Sequence, residues 1–330
     1  MTFNPIEAWL QMKAQLPPLA IEGIGIKYVY PFFLILLLIE FYNAKDLYNL
    51  KESFSSFVML IGATLMRVLT NVFEITLYFF LFHLAEPLRE HLFGFSTFGF
   101  AWYVWIICIV VDDHNFYWHH RFCHNVRLLW AAHQPHHSAK TFNLTVSIRN
   151  GWFITLFKPI YWLWMPLLGF EPIMMATVLI MNSFYQFFLH SQIVPSFPLY
   201  ERVFNTPYIH TVHHSSNTEY LDRNHGGMLI IWDKIYGTWQ KPIKGMKPLF
   251  GISHDPGTDN PFTHNIFEFQ EIWKDVKKAP GFRNKWMYIF GPPGWSHDGS
   301  SMTSKQLQDE LAAAKAAGVA APEHDHIRSN

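Results

Sequence analysis

Apolar residues in this chain gather into long stretches, and the stretches set the first expectation. A bilayer crossing takes about 20 largely apolar residues. The first stretch, Ile26 to Tyr42, carries no charge from Tyr28 to Ile39. The second, Phe57 to Phe82, is long enough to span with tilt and repeats Arg67, Asn71 and Glu74 on one helical face. Charge inside a bilayer is expensive, so Arg67 and Glu74 are expected to pair or to face the bundle. A third stretch, Phe98 to Val111, runs into Asp112 and Asp113. The last two, Gly151 to Leu168 and Ile173 to Phe188, are parted only by Gly169 to Pro172 and read as a helical hairpin, its first arm bent at Pro159 and Pro166. The first 25 residues hold Pro5, Pro17 and Pro18 and no apolar segment with a small-residue cleavage site, so no cleavable signal peptide is expected.

Beyond Leu189 the pattern becomes polar, with 14 of the 25 Lys and Arg residues. Asn265 to Lys278 places apolar residues at 266, 269, 272, 273 and 276, which predicts an amphipathic helix packed on the protein or lying at the headgroup boundary. Thr303 to Ala317 predicts an Ala-rich helix capped by Thr303 or Ser304 and stopped by Gly318. The tail after it, with His324 and His326, is expected to be disordered. The fold class that follows is all-α: an integral membrane bundle of about five hydrophobic spans with a cytosolic, histidine-rich helical cap. With the residues after Val111 in the cytosol, cytosolic loops hold Lys45, Lys51, Arg121, Arg127, Lys140 and Arg149, against Lys13, Lys27 and Arg89 outside, in the sense of the positive-inside rule.

Composition agrees with a chain partly in lipid. Charged residues are 15% of the 330, the AVILMFWYC set is 50%, aromatics are 18%, and mean hydropathy is +0.07. Plentiful apolar material and two cysteines exclude a disordered chain and a disulfide scaffold. Equal numbers of basic and acidic residues, 25 each, leave no excess to neutralise a phosphate backbone, so no nucleic-acid partner is expected.

The chemistry lies in the histidines, 12 of whose 19 fall between His114 and His225. They come in groups: His120 and His124; His133, His136 and His137; His210, His213 and His214; and His190 alone at the end of the last stretch. Residues three or four apart on a helix share a face. His120 and His124 therefore project together, on a stripe with Asp113 and Tyr117, while His119 points elsewhere. Thr206 and Pro207 are a good cap and first-turn pair, so His210, His213 and His214 share a helix face. Pro135 disfavours a helical Gln134, so His133 is expected to precede a turn or helix start carrying His136 and His137. Neutral imidazole suits Zn, Cu, Fe and Ni. Eight grouped imidazoles exceed the need of one ion, and two ions sharing about four each is the economical reading. The hairpin makes one excursion and returns, so the groups on either side of it, and His190, meet on one membrane side. His91, His114 and His119 read as ordinary structural histidines. No H-E-x-x-H, G-x-S-x-G, G-x-G-x-x-G or P-loop motif occurs, and Cys108 and Cys123 cannot hold a cluster. If the metals are redox-active, electrons come from a separate donor.

Four motifs then carry a resemblance: D-x3-Y-x2-H-R-x2-H (Asp113 to His124), L-W-x2-H-x2-H-H-S (Leu129 to Ser138), T-P-x2-H-x2-H-H (Thr206 to His214) and N-x-G-x-x-L-x-x-W-D-x-x-x-G-T (Asn224 to Thr238). Together they resemble the fatty-acid hydroxylase/sterol desaturase superfamily over about residues 100 to 240. Residues 133–145 and 226–239 look most like its alkylglycerol monooxygenase-like branch. The resemblance implies a non-haem di-iron centre on His120, His124, His133, His136, His137, His210, His213 and His214, with His190 as a plausible ninth. His225 stands where family members often have Tyr, and is an extra ligand or a polar neighbour. Asp113, Tyr117 and Asn143 are candidate catalytic residues, and Asp113, Asn143, Asp222 and Asp233 candidate partners for ring N–H groups. The organisation implied is 1–97 for membrane anchoring, 98–240 for the catalytic core with its hairpin 151–188, and 241–330 for a cytosolic extension. Trp102, Trp105, Trp152, Trp162 and Trp164 are expected to line a tunnel for an alkyl chain. The activity implied is O2-dependent hydroxylation of an unactivated C–H bond in a lipid, whether ether lipid, fatty acyl chain or sterol. Tetrahydrobiopterin or a cytochrome b5/ferredoxin-type donor supplies the electrons. Desaturation at the same site, and a zinc-dependent membrane hydrolase or metal-handling protein, are the alternatives.

Overall fold

Every regular element among the described residues, 30–320 of a computed structural model, is helical; the remaining backbone pairing is one isolated bridge between Phe204 and Leu229. Residues 26–29 of the first apolar stretch, the proline-containing N-terminal segment and the tail with His324 and His326 lie outside the described residues. Helix α1 covers Tyr30–Asn43 and α2 covers Leu50–Phe93. The Asn49 side chain caps α2 by accepting from the Lys51 and Glu52 N–H groups, and Gly94 closes it at φ 73°. Its 44 residues make it about 66 Å long at 1.5 Å per residue. Glu74, half buried in it, accepts a hydrogen bond from Tyr78.

Of the five expected spans, α2 alone among the described residues is long and apolar enough to cross a bilayer; Pro31–Asn43, Ile154–Leu168 and Pro172–Phe188 are shorter apolar helices. As the shared helix face of Asp113, Tyr117, His120 and His124 predicts, the third stretch runs on past Asp112. It continues as α3, Trp102–Asn125, whose second half carries His120 and His124. The first hairpin arm is broken rather than bent: α5 (Ile154–Phe157), a 3-10 turn (Lys158–Tyr161) and α6 (Trp164–Leu168) replace one helix. Pro159 and Pro166 each remove a backbone donor there. Gly169, at φ 110°, turns the chain into α7, Pro172–Phe188.

The main apolar core joins Tyr78 of α2, Val104 and Cys108 of α3, Trp162 and Met165 of the broken arm, and Met174 and Val178 of α7. A buried polar layer follows toward the histidines. Asp112 accepts from Trp162 Nε1 and Asn182 Nδ2, each at 2.8 Å, and Gln186 donates to Asn182 Oδ1.

Helix α4, Arg127–His137, runs straight through Pro135, contrary to the expected break at Gln134. Pro135 falls in the last turn, where it gives up one ladder bond, to the Ala131 carbonyl; separately, Arg149 Nε donates to the Pro135 carbonyl, one of those the helix end leaves open. After α8 (Pro207–His213) and α9 (Ile231–Tyr236), α10 spans Pro261–Lys278 and packs on α4. Its buried residues are His264, Asn265, Glu268 and Ile272, whereas Ile266 and Trp273 are exposed. The polar side turns inward because α4 begins with Arg127, which is bonded to Glu268 and Asp275 at 2.7 Å each. Helix α11 is Gly281–Phe290. Finally α12, Ser304–Ala317, has Thr303 and Gln306 as a reciprocal capping box and ends at Gly318, as its sequence predicts.

Candidate metal centre

Nine imidazoles from four parts of the chain meet below the polar layer. His120 and His124 of α3, His133 and His137 of α4, and His213 of α8 form one group; His136 of α4, His190 after α7, His210 of α8 and His214 just beyond it form the other. Within each group one ring nitrogen per residue lies within 4.8 Å of all the others. Spacing on α4 explains the partition: His133 and His137 are one turn apart on the same face, while His136 leans to the neighbouring stripe. The groups share walls. His137 stacks on His214 at 4.3 Å between ring centroids, and His210 stacks on His213 at 5.0 Å. The split is five and four, with His190 a full member.

Hydrogen bonds fix which nitrogens face inward. Nδ1 of His120 donates to the His225 carbonyl, that of His213 to Arg223, that of His136 to Arg149 and that of His190 to Gln186, at 2.9–3.2 Å. A neutral imidazole carries one N–H. With that hydrogen spent on a carbonyl, Nε2 presents a bare lone pair. Nε2 of His136 nevertheless lies 3.1 Å from Nε2 of His190, and His190 Nε2 lies 3.3 Å from His210 Nε2. His124 Nε2, His213 Nε2 and His210 Nδ1 are buried without any partner. An unsatisfied buried group costs about 1–3 kcal/mol, and opposed lone pairs repel besides. Protonation does not relieve the conflict. Burial holds His120, His133, His137, His190, His210, His213 and His214 well below the usual imidazole range, and His136 at about 4. A cation in each group would turn the opposition into coordination, and neutral nitrogen donors fit an iron, copper, nickel or zinc ion.

The other candidates hold the scaffold. Asp113 accepts from the Met228 and Leu229 N–H groups and from Trp232 Nε1, not from a ring. Tyr117 shares a hydrogen bond with Thr238 and receives one from Arg121. Asn143 donates to Leu47 and accepts from Thr145. Asp233 accepts from His225 N, Gly226 N and the Thr238 hydroxyl. Only Asp222 of these carboxylates meets an imidazole, His124 Nδ1 at 3.5 Å. The His225 ring enters neither group: Nε2 faces the Asp222 carbonyl and Nδ1 is buried without a partner. Sequence reasoning missed the fully buried Arg149, whose guanidinium bonds Pro135 O and Ser138 Oγ and whose carbonyl orients His136. It also missed Gly151, which lets the chain pass so close to α4 that an added Cβ would stand 2.0 Å from the Ala132 carbonyl. Its isolation in the pattern before the hairpin was the available signal.

One opening reaches the imidazoles and a second lies near them. A polar cleft of about 130 Å³ is lined by His124, His137, His213 and His214 together with residues 251–253 and Ser304. An apolar groove of about 400 Å³, lined by Leu36, Ile39, Tyr185, Phe188, Ile193 and Phe197, includes Leu189 and Ser191, the chain neighbours of His190, but no imidazole. The expected tryptophan tunnel is absent from both: Trp102 is 74% exposed, and Trp162 is buried in the core and bonded to Asp112.

Comparison with known proteins adds a family. Residues 105–238 match the fatty acid hydroxylase family. The human alkylglycerol monooxygenase (Homo sapiens) is 30% identical over 306 residues, covering 89% of this chain and 64% of that protein. Its counterpart from Xenopus tropicalis is 37% identical over 193 residues, covering 58% of this chain and 43% of that one. Ornithine lipid hydroxylase OlsE of Rhizobium tropici is 29% identical over 154 residues, 45% of each chain. The chain spans less than two thirds of the length of each alkylglycerol monooxygenase it matches. No solved structure matches.

Proposed function

From the premise that residues 105–238 carry a fatty acid hydroxylase domain of the alkylglycerol monooxygenase-like branch, we propose that this protein is an O2-dependent membrane monooxygenase that hydroxylates an alkyl chain of a lipid. The observation that carries this reading is the two facing groups of neutral imidazoles with opposed lone pairs. His120, His124, His133, His137 and His213 would hold one iron ion, and His136, His190, His210 and His214 the other. Bound there, the pair would supply reduction of O2 to an oxidant able to take hydrogen from an unactivated C–H bond.

The protein's own part is to hold, orient and exclude. Carbonyls of residues 149, 186, 223 and 225 lock four rings with Nε2 inward. With four imidazoles rather than five, the smaller group leaves more positions open for a reactant, and it is the one beside the apolar groove. A chain of methylenes fits that lining, which shields the reacting carbon from bulk water. Asp113 and Asp233 act at one remove, clamping the 225–232 segment whose carbonyl orients His120. In the alkylglycerol reading the attacked carbon adjoins the ether oxygen, and the hemiacetal so formed collapses to an aldehyde and a free glycerol hydroxyl. The relatives are named monooxygenase and hydroxylase, which supports oxygen insertion over desaturation.

Helix α2 and the exposed apolar faces of α1 and α7 support membrane integration, with the imidazole groups and the 241–330 extension on the cytosolic face. The electron donor is a separate molecule. Incubating the detergent-purified, iron-loaded protein with an alkylglycerol, reductant and 18O2 tests the reading. Labelled fatty aldehyde that disappears under anoxia is the expected result. Turnover that persists without O2 on a zinc-only protein contradicts it.

A further inference from the structure

Four consecutive residues, Asp222 to His225, face three of the five imidazoles of the larger group. Asp222 Oδ1 lies 3.5 Å from His124 Nδ1, the Arg223 carbonyl accepts from His213 Nδ1 at 2.9 Å, and the His225 carbonyl accepts from His120 Nδ1 at 2.9 Å. An extended strand would alternate its contacts between two faces. Here Asp222 and Asn224 both adopt left-handed conformations, φ 53° and 57°, and the kinks turn the carboxylate and both carbonyls toward one cluster. The His225 ring folds back onto the Asp222 carbonyl and closes the loop. Nothing in this segment reaches the four-imidazole group, whose known orienting carbonyls come from Arg149 and Gln186.

Two sets of contacts hold the loop. Within residues 105–238 and just past them, Asn224 donates to Ile209 and Gln240 carbonyls, and Asp233 accepts from His225 N and Gly226 N. The second set comes from α12, far outside that span. Gln308 Nε2 donates to the carbonyls of Thr218 and Leu221, Lys315 pairs with Glu219, and Ser304 stands with Asp222 in the wall of the polar cleft.

We propose that Asp222 to His225 form a positioning strap for the ion of the five-imidazole group, and that α12 keeps the strap in register. Retention of that ion, but not of its neighbour, then depends on the C-terminal helix. The strap fixes the tautomers of His120 and His213 through backbone and orients His124 through a carboxylate. Partners of this kind are worth about 10–100-fold in metal affinity.

The inference rests on the two-ion reading, and one experiment separates them. Full-length protein in detergent is loaded with iron, its metal counted, and release to a chelator followed with time, for wild type, Asp222→Asn and Gln308→Ala. Wild type should hold two ions. In Asp222→Asn one of the two should leave about 10–100-fold faster while the other keeps its wild-type rate. Gln308→Ala, which touches no imidazole, should act in the same direction by a smaller factor with unchanged helical circular dichroism, and it carries the test if Asp222→Asn does not fold. Wild-type release of both ions in Gln308→Ala and in a folded Asp222→Asn overturns the strap, as does equal acceleration of both. A wild-type chain that never holds two ions removes the reading beneath it, and the strap with it.

Discussion

At the scale of single residues the centre is a problem of lone pairs. Four of the nine rings donate Nδ1 to a carbonyl, which leaves their Nε2 atoms aimed at one another across buried space. Close backbone packing makes that possible, and Gly151 is its tightest point. Gly151→Ala would push a Cβ into the Ala132 carbonyl and shift the helix carrying three of the nine imidazoles. We expect a loss of about 1–3 kcal/mol of stability, read as a lower thermal midpoint in detergent, together with reduced metal content. The histidine groups were legible because helical spacing of three and four places rings on one face. His190 was legible by its position at the end of a stretch. Of the strap only the Asp222 carboxylate was, as a candidate partner for a ring N–H; carbonyl oxygens have no residue type, and Asp222 and Asn224 reveal their left-handed backbone only once folded.

At the scale of elements, capped segments emerged as the pattern predicts, α8 behind Thr206 and Pro207 among them, whereas prolines inside an element had different outcomes. The capping box at Thr303 and the glycine stop at Gly318 bound α12 on local chemistry alone. The first hairpin arm fragments, whereas α4 accepts Pro135. The outcomes differ in number and place: the broken arm holds two prolines, whereas α4 holds a single one in its last turn. Helix α10 packs by a mixed face: Ile272 is buried as the hydrophobic pattern predicts, while Ile266 and Trp273 stay outside and the buried Arg127 guanidinium draws Glu268 and Asp275 toward α4. Arg127→Ala should therefore cost about 3–5 kcal/mol, because Glu268 is left buried and uncompensated. Chemical unfolding monitored by tryptophan fluorescence checks this, and a loss below about 1 kcal/mol would place the pair among ordinary surface bridges.

At the scale of the whole molecule, the all-helical class and the convergence of distant histidines follow from the sequence, while the number of spans does not. Apolar length alone cannot distinguish a helix that crosses a bilayer from one that stops partway or breaks, and only α2 among the described residues is both long and apolar enough. The exposed apolar side chains of α1, α2 and the α10–α11 pair, Phe262, Trp273, Phe282 and Trp286 among them, support the proposed membrane integration. The protein should stay with the membrane pellet through a carbonate wash and leave it only with detergent; release by carbonate would count against integral anchoring.

The central claim is that imidazoles from α3, α4, α8 and the end of α7 enclose two iron ions side by side. Metal analysis of the full-length protein purified in detergent, expressed as ions per chain, addresses it most directly. The account predicts two iron per chain. One ion per chain, or zinc in place of iron in an active preparation, would contradict it.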